Sequence, residues 1–252
     1  MEESLRTLYS AELAEYSILA YYDTSNEERY INYKIDHKYL AWEDIITYVQ
    51  IGLDHEFYNN ICNIINPSCR TVLVNKYNQL PANYIPMDLE VINIKYNPEA
   101  LLLRHGAREA FEEMCHAAEE EGIYLLTAIS TFRSFNYQEE VYYRKKTPDI
   151  TLEEYQTERD KVSARAGHSE HQTGLAVDIN DLEECFEATS EGKWLVYNSY
   201  RFGFILRYPK GKESITGYNY EPWHYRYIGT ELAEAVYFSG LTYDEIYARY
   251  LY

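Results

Sequence analysis

The chain has no run of about 18 apolar residues, the length a membrane-spanning helix needs, so a transmembrane segment is excluded from the reading. Its start, Met1-Glu2-Glu3, lacks the basic stretch that precedes the apolar part of an export signal, so neither signal nor anchor is expected within it. Basic residues are scarce, 23 against 41 acidic ones, and the resulting net charge of −18 would repel a phosphate backbone. Nucleic-acid binding is therefore disfavoured. Cysteine is scarce too: Cys62, Cys69, Cys115 and Cys185 show no C-x-x-C spacing and no histidine at zinc-finger distance, which argues against a thiolate metal site. Cys62 and Cys69 lie close enough to pair across a short loop, and Cys115 reads as a small buried hydrophobe. What is abundant is tyrosine, with 29 residues, whose apolar ring and polar tip suit half-buried walls and grooves facing amide- or sugar-rich ligands, although most must serve packing. At 252 residues, 46% apolar and 25% charged, the chain has the composition of one large globular domain or of a domain with an extension.

Apolar residues Leu40, Trp42, Ile45, Ile46 and Val49 form a helical stripe, and Asn66-Pro67-Ser68 closes the first segment as a turn. A soft boundary near residue 70 follows, giving a mostly helical extension over 1–70 and a second domain over 71–252. In the latter, Thr71–Val74 is strand-like. Ala107, Ala110, Phe111, Met114 and Ala118 predict an amphipathic helix over Arg104–Glu121, stopped by Gly122. A strand is expected over Ile123–Ile129 and a helix over Tyr137–Lys146. Thr151 with Glu154 forms a capping box for another helix to about Val162. Short strands fit Leu175–Ile179, Phe202–Tyr208 and His224–Ile228, and a final helix starts near Thr230. Helices punctuate clustered strands rather than alternating with them, which predicts an α+β fold.

The informative stretch is Gly167-His168-Ser169-Glu170-His171-Gln172-Thr173-Gly174-Leu175-Ala176-Val177-Asp178-Ile179-Asn180. Gly174 allows a tight bend between His171 and Asp178, and Ala176 leaves space beside them. Such a turn into a strand can bring an imidazole nitrogen and a carboxylate oxygen within about 2.0–2.2 Å of one divalent ion. Glu221-Pro222-Trp223-His224 supplies a second imidazole and a spare acid. Three protein ligands with one open position are the pattern of a catalytic zinc, whereas structural zinc is closed by four. His171, Asp178 and His224 are thus the candidate ligands, with Glu221 as the general base and Trp223 as a wall against solvent. His37, His55, His105 and His116 lack such company and read as structural, while His168 is either a neighbour of the ligands or exposed.

These residues resemble the zinc D-alanyl-D-alanine carboxypeptidases of the VanY type, in peptidase family M15, a group that also holds L,D-carboxypeptidases, VanX dipeptidases and Hedgehog-like domains. The likeness rests on Ser169-x-His171-x-x-Gly174-x-Ala176-x-Asp178 and Glu221-x-Trp223-His224. It extends to Val74-Asn75-Lys76, Leu80-Pro81, Arg133-Ser134 with Gln138, and Arg207-Tyr208-Pro209-Lys210-Gly211-Lys212 leading into Thr216-Gly217-Tyr218. It covers roughly residues 70–252. The resemblance implies a small antiparallel sheet carrying a Zn2+ site between flanking helices, with His171, Asp178 and His224 as ligands and Glu221 as base. It also assigns Arg133 to the oxyanion or the substrate, in keeping with the paired hydrogen bonds of a guanidinium, and Gln138 and Ser169 to the substrate's terminal portion. Thr131 and Ala166 depart from the family's commoner Gly or Ala and Pro, and both bear on substrate fit.

The expected activity is hydrolysis of the C-terminal D-Ala-D-Ala bond of a peptidoglycan stem peptide, at the envelope or outside a bacterial cell. The ligand set does not read stereochemistry, so L,D-carboxypeptidase action on tetrapeptide stems is the nearest alternative, followed by a cell-wall endopeptidase. A non-catalytic zinc module that binds cell wall would need neither Glu221 nor Arg133.

Overall fold

Spacing of apolar residues by three and four produces three helices in the first sixty residues: α1 (Glu2–Leu13), α2 (Glu27–Asp36) and α3 (Trp42–Ile51). The computed structural model describes residues 2–251 apart from Leu125. Tyr9, Leu13, Tyr30, Trp42, Ile45, Ile46 and Val49 form the core of this helical group. Gly52, at φ 103°, ends α3 in the left-handed region. Arg29 then ties α2 to the turn beyond, donating from Nε and a terminal nitrogen to both oxygens of Asp54 at 2.7 Å.

The second unit, Ile61–Thr242, begins with a two-residue parallel pair, β1 (Cys62–Asn63) with β2 (Asn78–Gln79). An antiparallel pair follows, β3 (Leu89–Val91) with β4 (Leu102–Arg104). The long helix α4 (His105–Glu120) buries Ala107, Phe111, Met114, Cys115 and Ala118, the stripe its spacing predicts. Beyond it lie β5 (Ala128–Ser130), α5 (Phe135–Tyr143) and α6 (Leu152–Arg159), the last opened by the complete Thr151–Glu154 capping box. Next come β6 (Ala176–Ile179), α7 (Ser190–Asn198), β7 (Phe204–Leu206), the single turn α8 (Glu213–Thr216), β8 (His224–Tyr227) and α9 (Thr230–Ser239). A last helix, α10 (Tyr243–Tyr250), returns to the first group, where Arg249 donates to Thr47 Oγ1 at 2.9 Å and Asp44 Oδ1 at 3.1 Å.

The central sheet is antiparallel throughout, in the order β5-β6-β8-β7. Its two faces have different tasks. Val177, Ile179, Tyr225, Ala128 and Phe204 point into the main core with Phe111 and Met114 of α4, where each fully buried large apolar side chain is worth about 1.5–3 kcal/mol. Ala176 and Asp178 alternate with them, and the register sets Asp178 opposite His224 and Ala176 opposite Arg226. The other face of the same two strands therefore carries polar side chains, all of them buried.

The α+β class and the small antiparallel sheet agree with expectation, and some details differ. Thr71–Val74 forms no strand: it runs as buried coil, and Arg226 donates to the carbonyls of Arg70 and Val72, occupying acceptors that a ladder would need. The strand expected over Ile123–Ile129 forms only at Ala128–Ser130, and its Leu125 lies outside the described residues. Chain contacts divide the molecule after Asn60 rather than near residue 70, and they assign the stretch from Tyr243 to the first unit. All four cysteines are free thiols, so Cys62 and Cys69 are not paired. No helix among the described residues is long and apolar enough to cross a membrane.

Candidate metal centre and cleft

The site grows from a short 3₁₀ turn, Glu170–Thr173, capped by the Ser169 hydroxyl, which accepts from the His171 backbone N–H at 3.3 Å. Gly174 ends the turn at φ +67° and sends the chain into β6. A side chain there would be strained and crowded: a Cβ would stand 2.8 Å from Leu89 Cδ2 and 3.0 Å from Arg104 Cγ. The bend delivers His171 to the face of the sheet that already holds Asp178 and His224.

His171 Nδ1 donates to the Thr131 carbonyl at 2.6 Å, which fixes the tautomer and leaves Nε2 bare, 3.3 Å from Asp178 Oδ2. His224 Nδ1 lies 3.0 Å from Asp178 Oδ1 and 3.8 Å from Glu221 Oε2. One ligand atom from each of His171, Asp178 and His224 falls within 4.8 Å of the others, and all three residues are buried. Two imidazoles and a carboxylate suit a borderline divalent cation such as zinc. The fit also shows in hydrogen bonding: His171 Nε2 is a buried nitrogen without a partner, aimed at the cluster.

Burial drives the electrostatics. Desolvation, helped by the Arg133 charge, lowers His171 to about 4, so the imidazole is neutral and ready to ligate. Burial would also lower His224, but hydrogen bonds to Asp178 and Glu170 outweigh it and raise the ring to about 9 in the metal-free chain. Asp178 is held well below its usual range, its burial overcome by the two histidines. For Glu221 burial dominates and the Asp178 charge adds to it, raising the carboxyl to about 7.

A cleft of about 470 Å³ opens over this cluster, lined by Arg133, Gln138, Ser169, Tyr208, Glu221 and Trp223 among others, with α5 and α6 along one side. Arg133 Nε is buried without a partner, and its backbone N–H donates to the His171 carbonyl at 3.2 Å. Burial lowers the Arg133 pKa. Gln138 is buried, donates to the Ala164 carbonyl at 2.7 Å and leaves Oε1 unpaired. The structure thus gathers all seven residues singled out in the sequence around one cleft. His168 is not part of the cluster; it is buried with Nδ1 2.8 Å from the Asn75 carbonyl. His37, His55, His105 and His116 are exposed, so they stand apart from the site as surface residues rather than core ones.

Sequence reasoning passed over Glu170. Its side chain is fully buried; Oε1 accepts from Arg207 at 2.8 Å and from Arg226 at 2.9 Å, and Oε2 faces His224 Nε2 at 3.5 Å. The one available signal was its place in the Ser169-Glu170-His171 run, and its arginine partners lie 37 and 56 residues away.

Comparison with known proteins matches the VanY D-alanyl-D-alanine carboxypeptidase family model to residues 100–230. Carboxypeptidase YodJ of Bacillus subtilis (strain 168) is 37% identical over 216 residues, 79% of this chain and 77% of its own length. A D-alanyl-D-alanine carboxypeptidase of Enterococcus faecalis (strain ATCC 700802 / V583) is 39% identical over 178 residues, and the chain spans 64% of that protein. Among solved structures, the LD-carboxypeptidase LdcB is similar with a TM-score of 0.67 at 36% identity, covering 76% of this chain and 91% of that one. A mutant of the vancomycin resistance D,D-pentapeptidase VanY, solved with Zn(II), gives a TM-score of 0.60 at 36% identity, covering 70% of this chain and 97% of that one. VanYB in complex with D-alanine-D-alanine gives a TM-score of 0.60 at 36% identity, covering 70% and 96%.

Proposed function

The chain belongs to the VanY family of D-alanyl-D-alanine carboxypeptidases, and from that premise we propose that it is a zinc metallopeptidase releasing the terminal D-alanine of peptidoglycan stem peptides. The observation that carries this reading is the buried His171–Asp178–His224 cluster beside a glutamate whose pKa lies near neutrality. His171, Asp178 and His224 would hold the ion. Zinc, when bound there, would polarise the scissile carbonyl and lower the pKa of a water toward about 7.

The rest of the chemistry belongs to the chain. Glu221, raised to about 7 by burial, can take the proton of the attacking water and return it to the nitrogen of the leaving D-alanine. The C–O bond forms first and the C–N bond then breaks, the proton taken from the water by Glu221 leaving on the amine of the released D-alanine. Arg133, with Nε unpaired in the cleft, can donate to the substrate oxygen on which negative charge develops. Gln138 Oε1 is a free acceptor for a substrate N–H, and Ser169 lines the same wall. A peptidoglycan substrate supports action at the envelope or outside the cell.

A second reading, L,D-carboxypeptidase action on tetrapeptide stems, is supported by the higher TM-score of the LdcB likeness and the larger share of this chain that it covers. Release of D-alanine from pentapeptide and from tetrapeptide stems separates the two. Glu221→Ala should retain zinc yet lower turnover by about 10²–10⁴-fold; turnover at the wild-type rate would refute Glu221 as the base.

A further inference from the structure

We infer that Glu170 is a positioning residue for the metal centre, accepting the Nε2 proton of His224 so that Nδ1 presents its lone pair to the cation. The inference deepens the proposed function and rests on His171, Asp178 and His224 being the ligands.

The two ends of the His224 ring face different chemistry. Nδ1 is turned toward Asp178 at 3.0 Å and Glu221 at 3.8 Å, which is the centre of the cluster. Nε2 points away from it, toward Glu170 Oε2 at 3.5 Å. Those two atoms are both buried and both lack another partner, so each is the other's natural complement. A neutral imidazole carries one proton, and a carboxylate facing Nε2 settles that the proton resides there.

The surroundings explain how Glu170 is aimed. Its Oε1 is gripped by Arg207 and Arg226, leaving Oε2 to project at the ring. Arg226 is itself anchored to the carbonyls of Arg70 and Val72 at 3.1 and 2.9 Å, and it stands on β8 two residues after His224, on the same face. Burying three charges contributes little to stability by comparison with apolar packing. A fixed carboxylate behind a ligating imidazole, by contrast, typically carries 10–100-fold in metal affinity. The other histidine has its own clamp, the Thr131 carbonyl on Nδ1. The two imidazoles are thus held at opposite nitrogens by unrelated devices, and only one of them depends on Glu170.

The test uses the full-length chain stripped of metal and titrated with zinc against a chromophoric chelator, together with ¹⁵N spectra of the histidine rings in the zinc-loaded protein. Glu170→Ala should weaken zinc binding about 10–100-fold. Because that variant removes the carboxylate that balances two buried arginines, a triple variant, Glu170→Leu with Arg207→Met and Arg226→Met, removes their charge as well and should show the same loss. In the wild type the His224 proton should be found on Nε2; in the triple variant the resonance of that Nε2–H should shift and its exchange with solvent quicken as its carboxylate acceptor is lost, while the His171 Nδ1–H stays unchanged, a difference that general loosening would not produce. Wild-type zinc affinity in the triple variant, or a wild-type His224 proton on Nδ1, would overturn the role of Glu170. Failure of the wild type to take up zinc would instead overturn the ligand assignment itself.

Discussion

Replacing Gly174 by alanine separates two costs that the structure keeps distinct. The backbone there has φ +67°, and a residue with a Cβ in the left-handed region loses about 1–2 kcal/mol. Restricting the unfolded chain returns roughly 0.4–1 kcal/mol. The new Cβ would also meet Leu89 Cδ2 at 2.8 Å and Arg104 Cγ at 3.0 Å, and Arg104 has little freedom to yield because it is bonded to Asp88 and to the Ser68 carbonyl. Overpacking of this kind adds about 1–3 kcal/mol. Gly211 is the internal control: its φ is +80°, with nothing within 4 Å of the added carbon, so only the backbone part applies. Gly211→Ala should therefore cost about 1 kcal/mol and Gly174→Ala about 2–4 kcal/mol. Native-state hydrogen exchange of the β6 and β8 amides in the full chain measures the stability of the unit that contains both glycines. Zinc affinity should fall in Gly174→Ala alone, because that bend links His171 to Asp178. Equal destabilisation by the two substitutions would refute the steric part of the reasoning.

Two further outcomes follow from the site. His224 is raised from 6.5 to about 9, so its contribution to the metal-free chain is complete below pH 6.5 and is lost as pH climbs through about 9. Thermal melts in chelator should accordingly fall over that window, whereas zinc affinity should rise, since ligation expels the same proton; affinity that is flat or falling with pH would contradict the assignment. Arg133→Lys should lower kcat/KM by about 10²–10³-fold with zinc affinity unchanged, because an ammonium cannot reproduce the planar fork. Steady-state kinetics beside a zinc titration would show it.

Much of this arrangement was legible in the linear sequence because its signals are local. Thr151 and Glu154 lie within one helical turn, the stripe of α4 repeats at three and four, and the bend at Gly174 joins two residues of the cluster seven positions apart. What escaped depends on partners remote in the chain. Glu170 is an ordinary acid until Arg207 and Arg226 close around it. Val72 and Val74 look like a strand until an arginine from β8 occupies the carbonyls beside them. The stretch from Tyr243 carries no mark that it rejoins the first helices; that follows from its packing on α3, with Arg249 reaching Thr47 and Asp44.

The central pair of strands does double duty, since Val177, Ile179 and Tyr225 support the hydrophobic interior while Asp178 and His224 between them face the cleft. A shift of pairing by one position would exchange those roles, driving Asp178 and His224 into oil and Val177 and Tyr225 into the cleft. The placement of Asp178 opposite His224 is thereby insured by the cohesion of that core. The walls that α5 and α6 raise beside the opening draw no residue from that core.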